Sequence, residues 1–294
     1  MIGFVLSGGA NLGSLHVGML QALLEAGIEP DIVVGTSIGA VNAAHLAADP
    51  SLENIERLKQ CWCSVRARDI FPFSPTQNAR ALFRQGAFFS PHRWREFLTD
   101  RIPYRTFDET AVPLRITATD YEEGRAVTFD SGPVVDAVMA STALPAIFPP
   151  HEIDGRCYLD GAISDQLPLK VALEAGAHTV YVMAVSLPSP PLERRSPLTI
   201  LRHSLTILLF PRVRLDALDL SGEHPKLRIV QVPSVSTQVS LWDMSRHDEL
   251  IATAYETTKE FLQAEHDQDD RIEVAEVPEM EVETQTPEDP VVDA

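Results

Sequence analysis

Apolar residues along this chain gather into short unbroken runs, separated by stretches in which they recur every three or four positions. The run IGFVL at Ile2–Leu6 contains no polar residue and reads as a strand buried on both faces. Behind it Leu15, Met19, Ala22, Leu23 and Ala26 recur at helical spacing over residues 14–26. Gly27 stops that helix and Pro30 follows. A second buried strand is expected over 31–34 and a helix over 40–47. Further strands are predicted over 114–119, 126–129, 156–159, 179–184 and 227–232, and helices over 55–66, 93–100, 134–141, 168–175 and 248–262. Strands alternating with helices imply an α/β fold whose mostly parallel central sheet is covered on both faces.

Composition sets the limits of this picture. With 294 residues, 45% of them hydrophobic, the chain can build a large core without disulfide staples. Cys61, Cys63 and Cys157 form no CxxC pair and no zinc spacing, so they read as reduced thiols. The formal charge of -18 argues against nucleic acid as a partner. That charge is uneven: residues 263–294 hold twelve acidic side chains against Arg271 alone. With Pro278, Pro287 and Pro290 and little apolar periodicity, this stretch reads as a disordered acidic tail behind one domain over 1–262. The N-terminus is apolar but lacks a basic region, since the first Lys or Arg is Arg57, which disfavours a secretory signal. The apolar stretch Leu198 to Phe210 is broken by Arg202 and His203 and is shorter than the ~20 residues a bilayer span takes. A cytoplasmic protein is expected.

Candidate chemistry begins at GTSIG, where Gly35, Ser37 and Gly39 fit G-x-S-x-G between a predicted strand and a predicted helix. Such a turn strains the serine and aims the helix N-terminus at its hydroxyl. The competing reading is a glycine-punctuated turn whose serine caps the helix. One strand earlier, Gly8, Gly9, Ala10, Asn11, Leu12 and Gly13 form a second glycine-rich turn, whose backbone N–H groups are candidates for an oxyanion hole. It does not fit the dinucleotide pattern G-x-G-x-x-G. Only 36 residues precede Ser37. The usual α/β-hydrolase places its nucleophile after several strands and its histidine downstream in a loop. Here His178, His203, His224, His247 and His266 occupy no such loop, which disfavours the usual triad. Another base is available at CYLDGAISDQLP, where the strand over 156–159 delivers Asp160 into a turn made by Gly161 and Ala162. Taken alone that is an Asp-Gly turn; beside the two glycine motifs it is a candidate general base. Its ordinary pKa of ~3.9 would have to be raised by desolvation.

These three motifs, in this order, resemble the patatin-like phospholipase family in its bacterial type, whose signature is a glycine-rich oxyanion loop, G-x-S-x-G and D-G-[GA]. ITATDYEEGRAVTF and AVMASTALPAIFPPHEIDGRCYLDGA are similar to the family as well, so the likeness covers about residues 2–184. The resemblance implies a three-layer α/β/α fold and a dyad of Ser37 as nucleophile and Asp160 as base. It implies no catalytic histidine, leaving His16 and His151 structural. The loop departs from the family's usual G-G-G-x-[RK]-G at Ala10 and Leu12, so acyl-ester hydrolase is the firmer expectation than phospholipase.

The expected function is therefore hydrolysis of a lipid or related acyl ester through an acyl-enzyme, with neither metal nor organic cofactor. Acyl transfer is a variant the motifs leave open. Between Arg57 and Arg105 the chain turns basic and aromatic, with Arg66, Arg68, Arg80, Arg84, Arg93 and Arg95 among Trp62, Phe71, Phe73, Phe83, Phe88, Phe89 and Trp94. Together with 198–210, Arg212 and Arg214, this suggests a cap that admits acyl chains and rests peripherally on a membrane. The alternative is a cap packed on the core with solvated arginines. A catalytically weak or inactive lipid- or protein-binding module is the second functional reading, motivated by the altered loop.

Overall fold

Phe4 and Leu6 face one side of strand β1 (Ile2–Leu6) and Val5 the other, and all three are fully buried. That two-sided burial is why the strand reads as a continuous apolar run. A computed structural model describes residues 1–71, 78, 86–185, 200, 228–233 and 243–269 of the chain. In it β1 lies at the centre of an eight-stranded sheet. It pairs in parallel with β2 (Ile32–Thr36) on one edge and β7 (Thr179–Met183) on the other. Parallel pairing continues outward from β2 to β3 (Leu114–Asp120) and from β7 to β8 (Arg228–Gln231). The remaining strands, β4 (Ala126–Phe129), β5 (His151–Ile153) and β6 (Arg156–Leu159), add antiparallel pairs around β3.

Helices α1 (Ser14–Glu25), α2 (Ile38–Ala48), α3 (Leu52–Ser64), α4 (Ala67–Ile70), α5 (His92–Thr99), α6 (Val134–Ser141) and α8 (His247–Asp269) all supply residues to the larger core, against Phe4, Leu6, Val33 and Ile116. On the opposite face α7 (Leu169–Glu174) packs Leu169, Ala172 and Leu173 on Val5, Val34 and Val182. The α/β/α layering expected from the alternation is present, with far more helix on one face than on the other.

Several boundaries differ from the sequence reading for identifiable reasons. Strand β2 runs on through Gly35 and Thr36 because both pair with neighbours, Gly35 with Leu6 and Thr36 with Thr117. The third helix starts at Leu52 rather than 55, because Ser51 Oγ caps it by accepting from Asn54 N at 3.2 Å. Helix α8 continues past 262 to Asp269, into the segment expected to begin the tail; residues 270–294 lie outside the described residues. The hairpin β5–β6 carried an unread signal. Asp154 and Gly155 at its tip have φ of 51° and 79°, the positive values that make Asp-Gly a hairpin turn.

The basic, aromatic stretch divides. Trp62 and Trp94 are core residues, their indole N–H groups donating to Asn42 Oδ1 at 3.0 Å and to Thr142 Oγ1 at 2.8 Å. Phe71 stacks on Phe148 and lies beside Phe89, while Phe88 is 48% exposed. Residues Phe73, Arg80, Phe83 and Arg84 lie outside the described residues, as do Arg212, Arg214 and all of 198–210 except Ile200. Among the described residues no helix is long and apolar enough to cross a membrane.

Candidate active site

The sheet reverses direction at β1: the chain winds outward through β2 and β3, then returns to add β7 and β8 on the other side. In open α/β sheets the crevice at the strands' carboxyl ends beside such a reversal is where ligands bind. Here the loop after β1 is Gly8–Gly13 and the turn after β2 carries Ser37.

Sterics shape the serine turn. A Cβ on Gly35 would lie 2.5 Å from Gly39 O, and one on Gly39 would lie 2.3 Å from Leu6 O. Strand, turn and helix meet too closely for any side chain at either position. Between them Ser37 sits at φ 55°, ψ -126°, immediately before α2. Such a conformation costs about 1–3 kcal/mol and persists only where the surroundings over-determine it. It leaves the hydroxyl half-buried at the mouth of α2, whose N-terminal dipole favours negative charge there.

Asp160 arrives from the opposite direction. Strand β4 occupies one edge of β3, and β2 and β6 share the other. Thr36 pairs with Thr117 and Leu159 with Thr119, so β2 and β6 run head-on toward each other along that edge. The next residue of each strand, Ser37 and Asp160, falls at the level of Ala118. Ser37 Oγ donates to Asp160 Oδ2 at 2.7 Å, and Ala162 N donates to Oδ1 at 2.9 Å. Burial pushes the Asp160 carboxyl up to about 6, against the opposing pull of the Ser37 and Ala162 hydrogen bonds. Gly161 is needed for this approach, because a Cβ there would lie 2.2 Å from Thr117 O.

The glycine-rich loop closes the third side. A Cβ placed on Gly8 would be 3.3 Å from Ser37 Cβ and 3.2 Å from Ala162 Cβ, so all three motifs meet at one point. Residues Ala10–Gly13 form a single 3-10 turn. Among the described residues the N–H groups of Gly9 and Ala10 donate to no protein acceptor. Ala10 adopts φ 49°, the left-handed region that favours glycine. Leu12, where the resemblance led one to expect a cation, is fully buried in the main core. Anchoring therefore comes from an apolar side chain and from two amides. Asn11 Nδ2 donates to Asp243 O at 2.9 Å, and Asn42 Nδ2 donates to Gly13 O at 2.8 Å.

No histidine joins this group among the described residues. His16 is fully buried, bonded through Nε2 to Met183 O at 3.1 Å and through Nδ1 to Asn42 Nδ2 at 3.2 Å. Burial lowers its pKa to about 4, so it is a neutral strut between α1, α2 and β7. His151 sits with Arg95 and Asp136, its Nε2 3.2 Å from Asp136 Oδ1.

The sequence reading missed Ser141. Its hydroxyl accepts from Ser37 N at 2.8 Å and donates to Thr117 O at 2.6 Å. It stands in MASTALPAIFPP, a run noted above for its likeness to the family, but nothing in its spacing assigns it to the nucleophile.

The family model for patatin-like phospholipases matches residues 4–173, a span that contains all three motifs. The chain belongs to the patatin-like phospholipase family. Among its relatives is an uncharacterised NTE family protein of Mycobacterium bovis, 33% identical over 182 residues that make up 62% of this chain and 47% of the relative. Human patatin-like phospholipase domain-containing protein 6 is 29% identical over 192 residues, 63% of this chain and 13% of that protein. A lysophospholipase, NTE1 of Candida glabrata, is 30% identical over 192 residues, 63% of this chain and 10% of its own length. This patatin-like chain thus spans about half or less of the curated relatives it matches. Among solved structures, VipD from Legionella pneumophila aligns with a TM-score of 0.48 and 16% identity over 89% of this chain and 66% of VipD. Human GIVD cytosolic phospholipase A2, solved with methyl gamma-linolenyl fluorophosphonate, aligns at 0.48 and 12% over 91% of this chain and 59% of that one.

Proposed function

We propose that the protein is a serine acyl-ester hydrolase of the phospholipase A or lipid esterase type, working through a Ser37–Asp160 dyad and an acyl-enzyme. The observation that carries this reading is the 2.7 Å hydrogen bond from Ser37 Oγ to a buried carboxylate whose pKa is raised to about 6. A base of that strength is mostly ionised at neutral pH yet accepts a proton more readily than an ordinary aspartate. Asp160 takes the Ser37 proton as Oγ attacks the ester carbonyl carbon. The oxyanion that forms is received by the N–H groups of Gly9 and Ala10, donors of a kind worth ~2.7–4 kcal/mol each in such reactions. Collapse expels the alcohol, which carries off the proton held by Asp160. Water, deprotonated by Asp160, then releases the fatty acid and restores Ser37. No metal or organic cofactor enters the scheme.

The acyl chain enters beside Phe71, Phe89 and Phe148, which pack together next to the segment leading to Asp160. Phe88 N donates to Ala146 O at 2.7 Å and Phe89 N to Ile147 O at 3.0 Å, tying the aromatic loop to that segment. The exposed Phe88 ring rests on the lipid surface.

A fluorophosphonate probe tests the dyad. Wild type is expected to label and Ser37→Ala is not. Equal labelling would leave the second reading standing, a lipid- or protein-binding module with a loop altered at Ala10 and Leu12.

A further inference from the structure

The strained backbone of Ser37 needs something to hold it, and its neighbours identify what does. Its N–H donates to Ser141 Oγ at 2.8 Å, across 104 residues of sequence. Ser141 is fully buried at the last position of α6 and donates its own proton to Thr117 O at 2.6 Å. One hydroxyl thus satisfies a donor and an acceptor that burial would otherwise leave unpaired.

The same short segment also holds the acid. Two residues beyond Ser141, Ala143 O accepts from Asp160 N at 3.0 Å. Thr142 between them locks the turn, its hydroxyl donating to Val138 O and accepting from Trp94 Nε1, both at 2.8 Å. Thr117 O is itself a shared reference point, reached by Ser141 from the nucleophile's side and pressed by Gly161 from the acid's side.

We infer that Ser141 is a positioning residue, which holds the nucleophile in its strained conformation and in register with Asp160. This rests on the dyad reading proposed above. Because the Ser37 N–H is committed to Ser141, it is not an oxyanion donor, and that work falls to the loop after β1. Removing the hydroxyl frees the Ser37 backbone to relax, which lengthens or misdirects the bond to Asp160. Displacements of that order reduce rates by up to ~100-fold.

The experiment measures fluorophosphonate labelling of Ser37 per folded molecule, together with kcat and KM on a soluble short-chain ester, in wild type, Ser141→Ala and Ser141→Thr. Ser141→Ala is expected to label and turn over about 10–100-fold more slowly with KM within about twofold of wild type. Ser141→Thr keeps the hydroxyl and is expected to recover most of the rate. Should Ser141→Ala fail to fold, Ser141→Cys takes its place, since it preserves volume while weakening both hydrogen bonds. A variant lacking the hydroxyl that is less stable but labels at the wild-type rate overturns the inference, because it makes Ser141 merely structural. Wild type labelling no faster than Ser37→Ala overturns the dyad reading and this one with it, a failure visible without any Ser141 variant.

Discussion

Ser37 and Asp160 are 123 residues apart in the chain, yet they end two strands that meet head-on along one edge of β3. Their 2.7 Å hydrogen bond closes the gap between those strand ends. The acid is held by its backbone as well as by its side chain, through Thr119 Oγ1 to Asp160 O at 2.8 Å and Asp160 N to Ala143 O at 3.0 Å.

The pH dependence of kcat/KM reports the base in the free enzyme. Only ionised Asp160 can take the Ser37 proton, and burial raises its pKa to about 6. Hydrolysis of a soluble ester should therefore climb with pH around a midpoint near that value. A profile flat from about pH 5 to 8 would remove Asp160 from the role of base.

Asp160→Asn should lose at least ~100-fold in turnover, within the range for a general base, while gaining stability at neutral pH. Because the folded-state pKa of Asp160 is raised, its contribution to stability is fully present below the unfolded value and is lost as pH rises to about 6. His16, lowered to about 4, acts oppositely: its contribution is present above 6.5 and is lost as pH falls. The two therefore oppose one another in wild type across the shared window. Asp160→Asn unmasks His16 and should lose stability on acidification more steeply than wild type. Urea unfolding at pH 4.5 and pH 8 checks this; the same stability difference at both would contradict it.

Ala10 holds a left-handed φ of 49° at a position where glycine would be unstrained. That conformation costs an alanine about 1–2 kcal/mol, while glycine's greater freedom in the unfolded chain costs about 0.4–1 kcal/mol. Ala10→Gly should accordingly be neutral to stabilising by about 1 kcal/mol. Ala10→Val, β-branched at the same φ, should lower both Tm and labelling of Ser37. A stable, fully active Ala10→Val would show that the loop tolerates another conformation.

Phe88 is half exposed beside the aromatic cluster. Phe88→Ser should reduce hydrolysis of phospholipid vesicles several-fold more than hydrolysis of a soluble short-chain ester. Equal losses on both substrates would argue that the ring serves the site and not a lipid surface.

Much of the fold was legible because β1 and the first three residues of β2 form unbroken apolar runs, and because Leu15, Met19, Ala22 and Leu23 recur at helical spacing in α1. The positions of Ser37, Gly8 and Asp160 were legible too, since each follows a strand and sits at a glycine-marked turn. Strand β5 was not, because three residues on a sheet edge carry little periodicity. Ser141 was not, because a buried serine at a helix end has many uses and its partner is far away in the chain. The left-handed φ of Ala10 was unreadable for a related reason: an alanine shows no outward sign of strain.

What the sequence determined by itself was therefore the set of turns able to present reactive groups, since turn chemistry depends on neighbouring residues. Which of those turns face one another was decided only in the folded sheet. The register of β3 brings two opposed strand ends to Ala118, and the end of α6 with the turn that follows it reaches both backbones, through Ser141 and Ala143. The raised pKa of Asp160 likewise exists only there, because desolvation is a property of what surrounds a carboxyl group after folding.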